Sequence, residues 1–445
     1  MSLITEELSI VTVKELLNLN LEVPGYQRPY NWSTNSTNTL FTDTYEAYKE
    51  GIDEYRLGSV ILHKTKDKYY IVDGQQRTTT LSILLYCLGE KNNNNGLLNK
   101  KYSSLSSNSI INNFQILDNK VSELKDDEKL RYKAYLLNKC TIVKIVTDEE
   151  QEAFQFFDSQ NSRGKELAPH DLLKSYHLRE MNNEKESLKI KIINEWENKN
   201  QSELEILFKD YLFPLTRWYK WRNGLGYSSE EISSFKGIKN TNVYNYAIYQ
   251  KASNLFIEQM NRNGSIELLA SNELNQFQLT QPLIAGRRFF EYTLYYSDLL
   301  EKIQKKISDF SSKNSIDGNK EMLIPSKKSG DKYIKRLYEC ALLFFADRFG
   351  INSITDSVMK QLYTWSYSLR LVMVAVYPET INKYALGRHE RVNSGIDIFA
   401  KISEMIEPEE LNLIILDKLN NEQVGDRLKN YNEIWEFLKK ENRWK

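Results

Sequence analysis

Two hydrophobic periods run along the chain, and the change between them divides it. Up to about residue 185, short aromatic or β-branched runs alternate with helically spaced stretches; beyond it, helical spacing dominates and strand signals are rare. The first part is organised around residues 69–81, YYIVDGQQRTTTL. Tyr69, Tyr70, Ile71 and Val72 read as a buried strand, Asp73–Gly74 ends it, and Gln75, Gln76 and Arg77 open a helix continuing through Leu81, Leu84 and Leu85. Residues 55–63 are β-prone, and 64–68 read as the turn of a hairpin that leads into Asp73. Upstream, Thr12 reads as the N-cap of a short helix over 11–19, residues 21–25 as extended, and 36–50 as a helix carrying Leu40, Thr44 and Tyr48. Downstream, 91–96 is a low-complexity Asn loop, 97–127 is polar without a clear element, 128–138 is helical, and 140–146 (CTIVKIV) is a strand. Asp148 and Gln151 resemble a capping box for a helix through Phe154, Phe157 and Asp158; Pro169 opens another over 170–181. Further helices are predicted over 204–212, 243–260, 289–310, 333–349, 357–375 and 433–440, with 311–331 an exposed loop. The predicted class is α+β: a small mixed α/β domain over 1–190, then a larger all-α domain over 191–445.

Composition narrows the classes without choosing one. At 445 residues the chain exceeds one ordinary domain. Its 41% apolar and 27% charged residues are those of a soluble globular protein. Lys+Arg and Asp+Glu each number 60, which disfavours a blanket nucleic-acid binder while leaving a local basic groove open. Three widely spaced cysteines, Cys87, Cys140 and Cys340, form no zinc pattern and suit a reducing cytosol. No signal peptide and no membrane span are expected, so the predicted location is cytoplasmic.

A strand, a glycine turn and a helix start leave backbone N–H groups at the positive end of a helix dipole, which suits an anion. Residues 73–77 add one carboxylate, two amides and one guanidinium, the groups a phosphate-handling site needs. The same stretch also reads as a turn whose polar residues only cap a helix, and its spacing is not that of a standard P-loop. Two more clusters pair an arginine with an amide at a predicted boundary: Gln27–Arg28, with Tyr30 and Trp32, and Asn161-Ser-Arg163-Gly164. Convergent arginines would clamp phosphate oxygens; singly, each reads as readily as a surface cap.

The segments VPGYQRPYNW, LGSVILH, IVDGQQRTTTL and FDSQNSRGKELAPHDLLK, in this order, resemble the N-terminal domain of the GmrSD type IV restriction endonucleases, over roughly residues 5–185. That resemblance implies a ParB/sulfiredoxin-like fold and Mg²⁺-dependent hydrolysis of a nucleoside triphosphate, coupled to cleavage of modified phage DNA. It implies phosphate contacts from Gln27, Arg28, Gly74, Arg77 and Thr78. Asp73 would position Mg²⁺ or the attacking water, Gln75 or Gln76 would orient that water, and Asn161, Arg163 and Gly164 would close the site. Tyr30 falls where a relative reads DNA.

Full-length relatives often carry an HNH-type nuclease, which needs clustered His, Asp or Asn. The four histidines here, His63, His170, His177 and His389, lie in no such setting, so a separately encoded nuclease subunit is the expected partner. His170 and His177 beside Asp171 read as helix surface rather than metal ligands. Residues 217–222 (RWYKWR), Arg287–Arg288 and residues 388–391 (RHER) are candidate DNA contacts, with solvated amphipathic helix as the competing reading. An Mg²⁺-dependent NTPase, a nucleotide- or DNA-binding switch without turnover, and a ParB-like DNA nickase all remain open, as does a homo-oligomer.

Overall fold

The computed structural model describes residues 8–24, 30, 32–90, 97–98, 104–148, 153, 168–181, 184–263, 275–315 and 323–443. The chain forms two units that interleave in sequence: Met1–Leu167 with Met181–Asn198, and Ala168–Glu180 with Lys199–Lys445. The first is mixed α/β around a five-stranded sheet, the second largely helical, as the hydrophobic periods predict.

The sheet of the first unit comprises β1 (Leu8–Thr12), β2 (Leu21–Glu22), β3 (Tyr55–Thr65), β4 (Lys68–Asp73) and β5 (Cys140–Thr147), in the order β1-β5-β3-β4-β2. β3 and β4 form the predicted antiparallel hairpin, and β5 runs parallel to β3. Thr12 caps α1 (Val13–Leu17) reciprocally with Glu15. α2 (Thr34–Lys49) and α5 (Asp126–Asn138) lie within two residues of their expected bounds. The stretch 97–127 contains α4 (Ser104–Ser122), which was not expected. Its Ile110, Phe114, Leu117 and Val121 follow an i, i+4, i+7, i+11 spacing and pack on the core. The sheet core is built from Val60, Leu62, Ile71 and Ile142, against Leu81, Leu84 and Leu85 of α3 (Gln75–Cys87).

α3 is buried almost all round, although it begins Gln-Gln-Arg-Thr-Thr-Thr. Its hydroxyls make that possible. Thr78, Thr80 and Ser82 each donate to the carbonyl four residues back, at 2.9, 2.9 and 3.0 Å.

In the second unit, helix Ser329–Phe349 packs against helices Arg287–Asn314, Asp356–Val372 and Ile398–Glu404. Asp331, Arg370 and Tyr431 form a buried cluster: Arg370 Nε lies 2.6 Å from Asp331 Oδ1, which also accepts from the Tyr431 hydroxyl at 2.8 Å. Helix Gln201–Ile206 widens into a π turn, Leu207–Leu212, before Phe213–Trp218. Pro214 explains the widening: it has no N–H for the carbonyl of Asp210, which Cys340 Sγ approaches instead at 3.5 Å. The expected exposed loop 311–331 is narrower than the sequence indicates. Arg287–Asn314 extends into it, the next helix starts at Ser329, and Leu323 and Ile324 are buried. Among the described residues, no helix is long and apolar enough to cross a membrane.

Candidate functional site

β4 ends at Asp73, and Gly74 turns the chain into α3 with φ +90°. A Cβ on Gly74 would lie 2.7 Å from Val60 Cγ2, so both the dihedral and the space require glycine. With no side chain there, α3 has no side-chain cap, and its dipole end is left to the backbone.

Arg77 sits in the first turn of α3. β3 bulges beside it, with register shifts between Arg56 and Ser59 and between Ile61 and Leu62. Gly58, at φ +104°, lies in the first bulge, and a Cβ there would come within 2.9 Å of Arg77 Nη1. The hollow is thus shaped for a guanidinium, which donates to the Ser59 carbonyl at 3.0 Å. Burial lowers the Arg77 pKa, offset in part by the nearby Asp73 carboxylate; an arginine remains charged under such a shift. Among the described residues, no carboxylate lies within ion-pair distance of Arg77. Its exposed side borders a cleft of about 360 Å³, also lined by Trp32, Asp43, Arg56 and Leu57. Arg56 is already engaged, by Glu54 and by Thr141 Oγ1 at 2.8 Å.

The two amides of the motif have different surroundings. Gln76 Oε1 accepts the Trp32 N–H at 3.1 Å. Gln75 is 5% exposed, and its Oε1 has no hydrogen-bond partner among the described residues. Thr78, expected at the nucleotide, is wholly buried, with its hydroxyl bonded inside α3.

Tyr30, expected at DNA, is also fully buried. Its hydroxyl meets Thr80 Oγ1 at 2.7 Å and accepts from Asn113 Nδ2 at 2.9 Å, and its N–H donates to Ser106 Oγ at 2.8 Å. Burial raises its pKa. As placed, Tyr30 anchors the segment onto α3 and α4 rather than presenting a ring to a ligand. Tyr30 and Trp32 are therefore each bonded to α3, through Thr80 and Gln76 respectively. Gln27, Arg28, Phe157, Asn161, Arg163 and Gly164 lie outside the described residues. Ser106, Asn113 and Gly58 were missed from sequence; an isolated glycine inside a β-prone run was the available signal for the bulge.

The histidine reading needs correction. His177 is not on a helix surface: it is wholly buried, stacked on Phe289 with centroids 3.8 Å apart. Its Nδ1 accepts the Gly286 N–H at 3.0 Å, and its Nε2 lies 2.9 Å from the Phe235 carbonyl. Burial lowers its pKa from 6.5 to about 3. His170 and His389 are buried as well. Among the described residues, no group of three His, Cys, Asp or Glu is arranged to hold a metal. The candidate DNA contacts at Arg287 and Arg288 are engaged by Glu258 at 2.7 and 2.5 Å.

A family model described as GmrSD restriction endonuclease, N-terminal domain, matches residues 13–178. A second, a family of unknown function (DUF7834), matches residues 188–433, more than half of the chain. The chain belongs to the DUF7834 family and carries a GmrSD-type N-terminal domain. No curated protein matches it. The GmrSD-type match encloses all five described residues of the 73–77 motif, the β3 bulge and Tyr30. The candidate site is therefore a feature of that domain and not of the DUF7834 region.

Proposed function

We propose that the protein is a component of a type IV, modification-dependent restriction system, in which the α3 N-terminus and Arg77 bind the phosphates of a nucleoside triphosphate. The observation that carries this reading is the Arg77 guanidinium, partly desolvated, bordering a cleft and with no carboxylate within ion-pair distance among the described residues. A charge held this way gains from an anion brought to it. The family match adds the restriction context.

In this reading the site hydrolyses the nucleotide with Mg²⁺, and a separately encoded nuclease cuts modified phage DNA. Mg²⁺ keeps most of its octahedron as water and phosphate oxygens and takes one or two carboxylates, so a single Asp73 beside the Gly74 turn fits it. The ion would neutralise phosphate charge. Gln75 would accept a hydrogen bond from the attacking water through its buried Oε1. The test is nucleotide binding and phosphate release by the purified chain. Arg77→Ala should weaken binding at least tenfold, and Asp73→Ala should abolish release, both with the fold retained by circular dichroism. Turnover equal to wild type in both variants would refute the assignment.

One observation favours a second reading, a switch that binds without turnover. Gln76 is bonded to the Trp32 backbone, so ligand at the α3 N-terminus would be sensed by the segment that precedes α2. Saturable binding with no released phosphate would select it.

A further inference from the structure

Helix Asn245–Asn263, in the second unit, turns an apolar face to solvent. Ala247 and Asn254 are buried, whereas Ile248, Tyr249, Leu255 and Phe256 are 48–79% exposed. Ile248, Ala252 and Leu255 follow an i, i+4, i+7 spacing, and Tyr249 and Phe256 are seven apart. Together they form a stripe about 120° wide, the pattern by which a helix ordinarily meets a core. Val243, Tyr244 and Tyr246 continue the patch, with the last two rings parallel and 6.0 Å apart.

The charges on Lys251 and Glu258 are directed elsewhere. Lys251 donates to the carbonyls of Asn240 and Asn242, each at 2.8 Å. Glu258 is held by Arg287 and Arg288. Between Val243 and Phe256, the exposed stripe itself carries no charged side chain. A nucleic-acid backbone or an anionic membrane would require cations beside the aromatics. An uncharged apolar stripe is complemented by another, and a two-fold axis supplies it from a second copy. The exposed parts of these seven large side chains amount to roughly 800 Å², taking ~150–250 Å² for each whole aromatic, and about 800 Å² per subunit is what a stable dimer buries.

We propose that two copies of the chain pair antiparallel through this face, with the axis near Ala252, whose small side chain lets the helices approach. The inference stands independently of the nucleotide reading. Sedimentation equilibrium on the full chain tests it. The wild-type protein should give twice the chain mass, and the double variant Tyr249→Glu/Phe256→Glu should halve it while keeping the same circular dichroism and thermal midpoint. Ala252→Cys should form a disulfide-linked dimer under mild oxidation that the wild-type chain does not form. A monomeric wild type would overturn the proposal, including one whose stripe variant loses DNA or another protein instead. So would a dimer that survives the double substitution, or one that Ala252→Cys never cross-links.

Discussion

Arg77 and Arg370 are both largely withdrawn from water, and their surroundings differ in kind. Arg370 is matched at close range: Asp331 faces its Nε, the Met373 carbonyl accepts from Nη1 at 2.8 Å, and the Tyr431 ring lies 4.4 Å below the guanidinium. Arg77 has one carbonyl, a glycine that makes room for it, and a cleft. The first arrangement serves packing and orientation within the helical unit. The second leaves the charge only partly matched, by an Asp73 carboxylate beyond ion-pair distance, which lowers stability unless a ligand completes it. Each place holds a single arginine; the stoichiometry of partners separates them.

The strongest way to break that contrast is to remove Arg370. Arg370→Ala strands a buried Asp331 and should cost about 3–5 kcal/mol in denaturant unfolding, without changing nucleotide affinity per folded molecule. A loss under ~1 kcal/mol would mean that the Asp331–Arg370 pair does not hold the helical unit together. Next comes Gly74→Ala, which combines a positive φ with a 2.7 Å approach to Val60 and should cost about 1–3 kcal/mol. It should also reduce nucleotide affinity, because the α3 N-terminus moves; an unaffected affinity would place the ligand elsewhere.

His177 supplies a pH-dependent version of the same contrast, since it is buried and fully bonded as the neutral ring. The unfolded chain takes a proton near pH 6.5, whereas the folded ring resists until about pH 3. The unfolded state therefore binds more protons as pH falls, and this contribution to stability is lost progressively from about pH 6.5 downward, by up to ~1.4 kcal/mol per unit. The stability gap between wild type and His177→Gln should narrow between pH 7 and 4; a constant gap would mean that the imidazole titrates normally. The smallest effect expected is at Arg77 itself. Arg77→Met removes a partly matched charge and should leave the thermal midpoint unchanged or raise stability by up to ~1 kcal/mol, while nucleotide binding is lost. A marked drop in the midpoint would make Arg77 a structural residue like Arg370.

What could be read from sequence was local. The Thr12 cap, the β3–β4 hairpin and the Asp73–Gly74 turn are fixed by neighbours within a few residues, and all three are present. His177 was misread because its partners Phe235, Gly286 and Phe289 are 58 residues or more away. The burial of Tyr30 was not legible for a similar reason, since Asn113 holds it from a helix whose Ser/Asn-rich surface obscures a regular apolar spacing. β1 shows the opposite failure: Leu8–Thr12 is an edge strand with exposed Leu8 and Ile10, so no buried alternation announces it. Of the candidate site, the composition of residues 73–77 was legible; the β3 bulge and the contrast between Gln75 and Gln76 depend on tertiary placement.

The helix Pro169–Arg179 has a consequence for how such proteins can be recombined. The GmrSD-type match ends at residue 178, inside this helix, yet the helix folds with the second unit and fills it with the His177 ring. An exchange of front halves between relatives would thus import a foreign plug into the back half. Successful hybrids should be those that keep their own Phe235, Gly286 and Phe289 matched to the incoming helix.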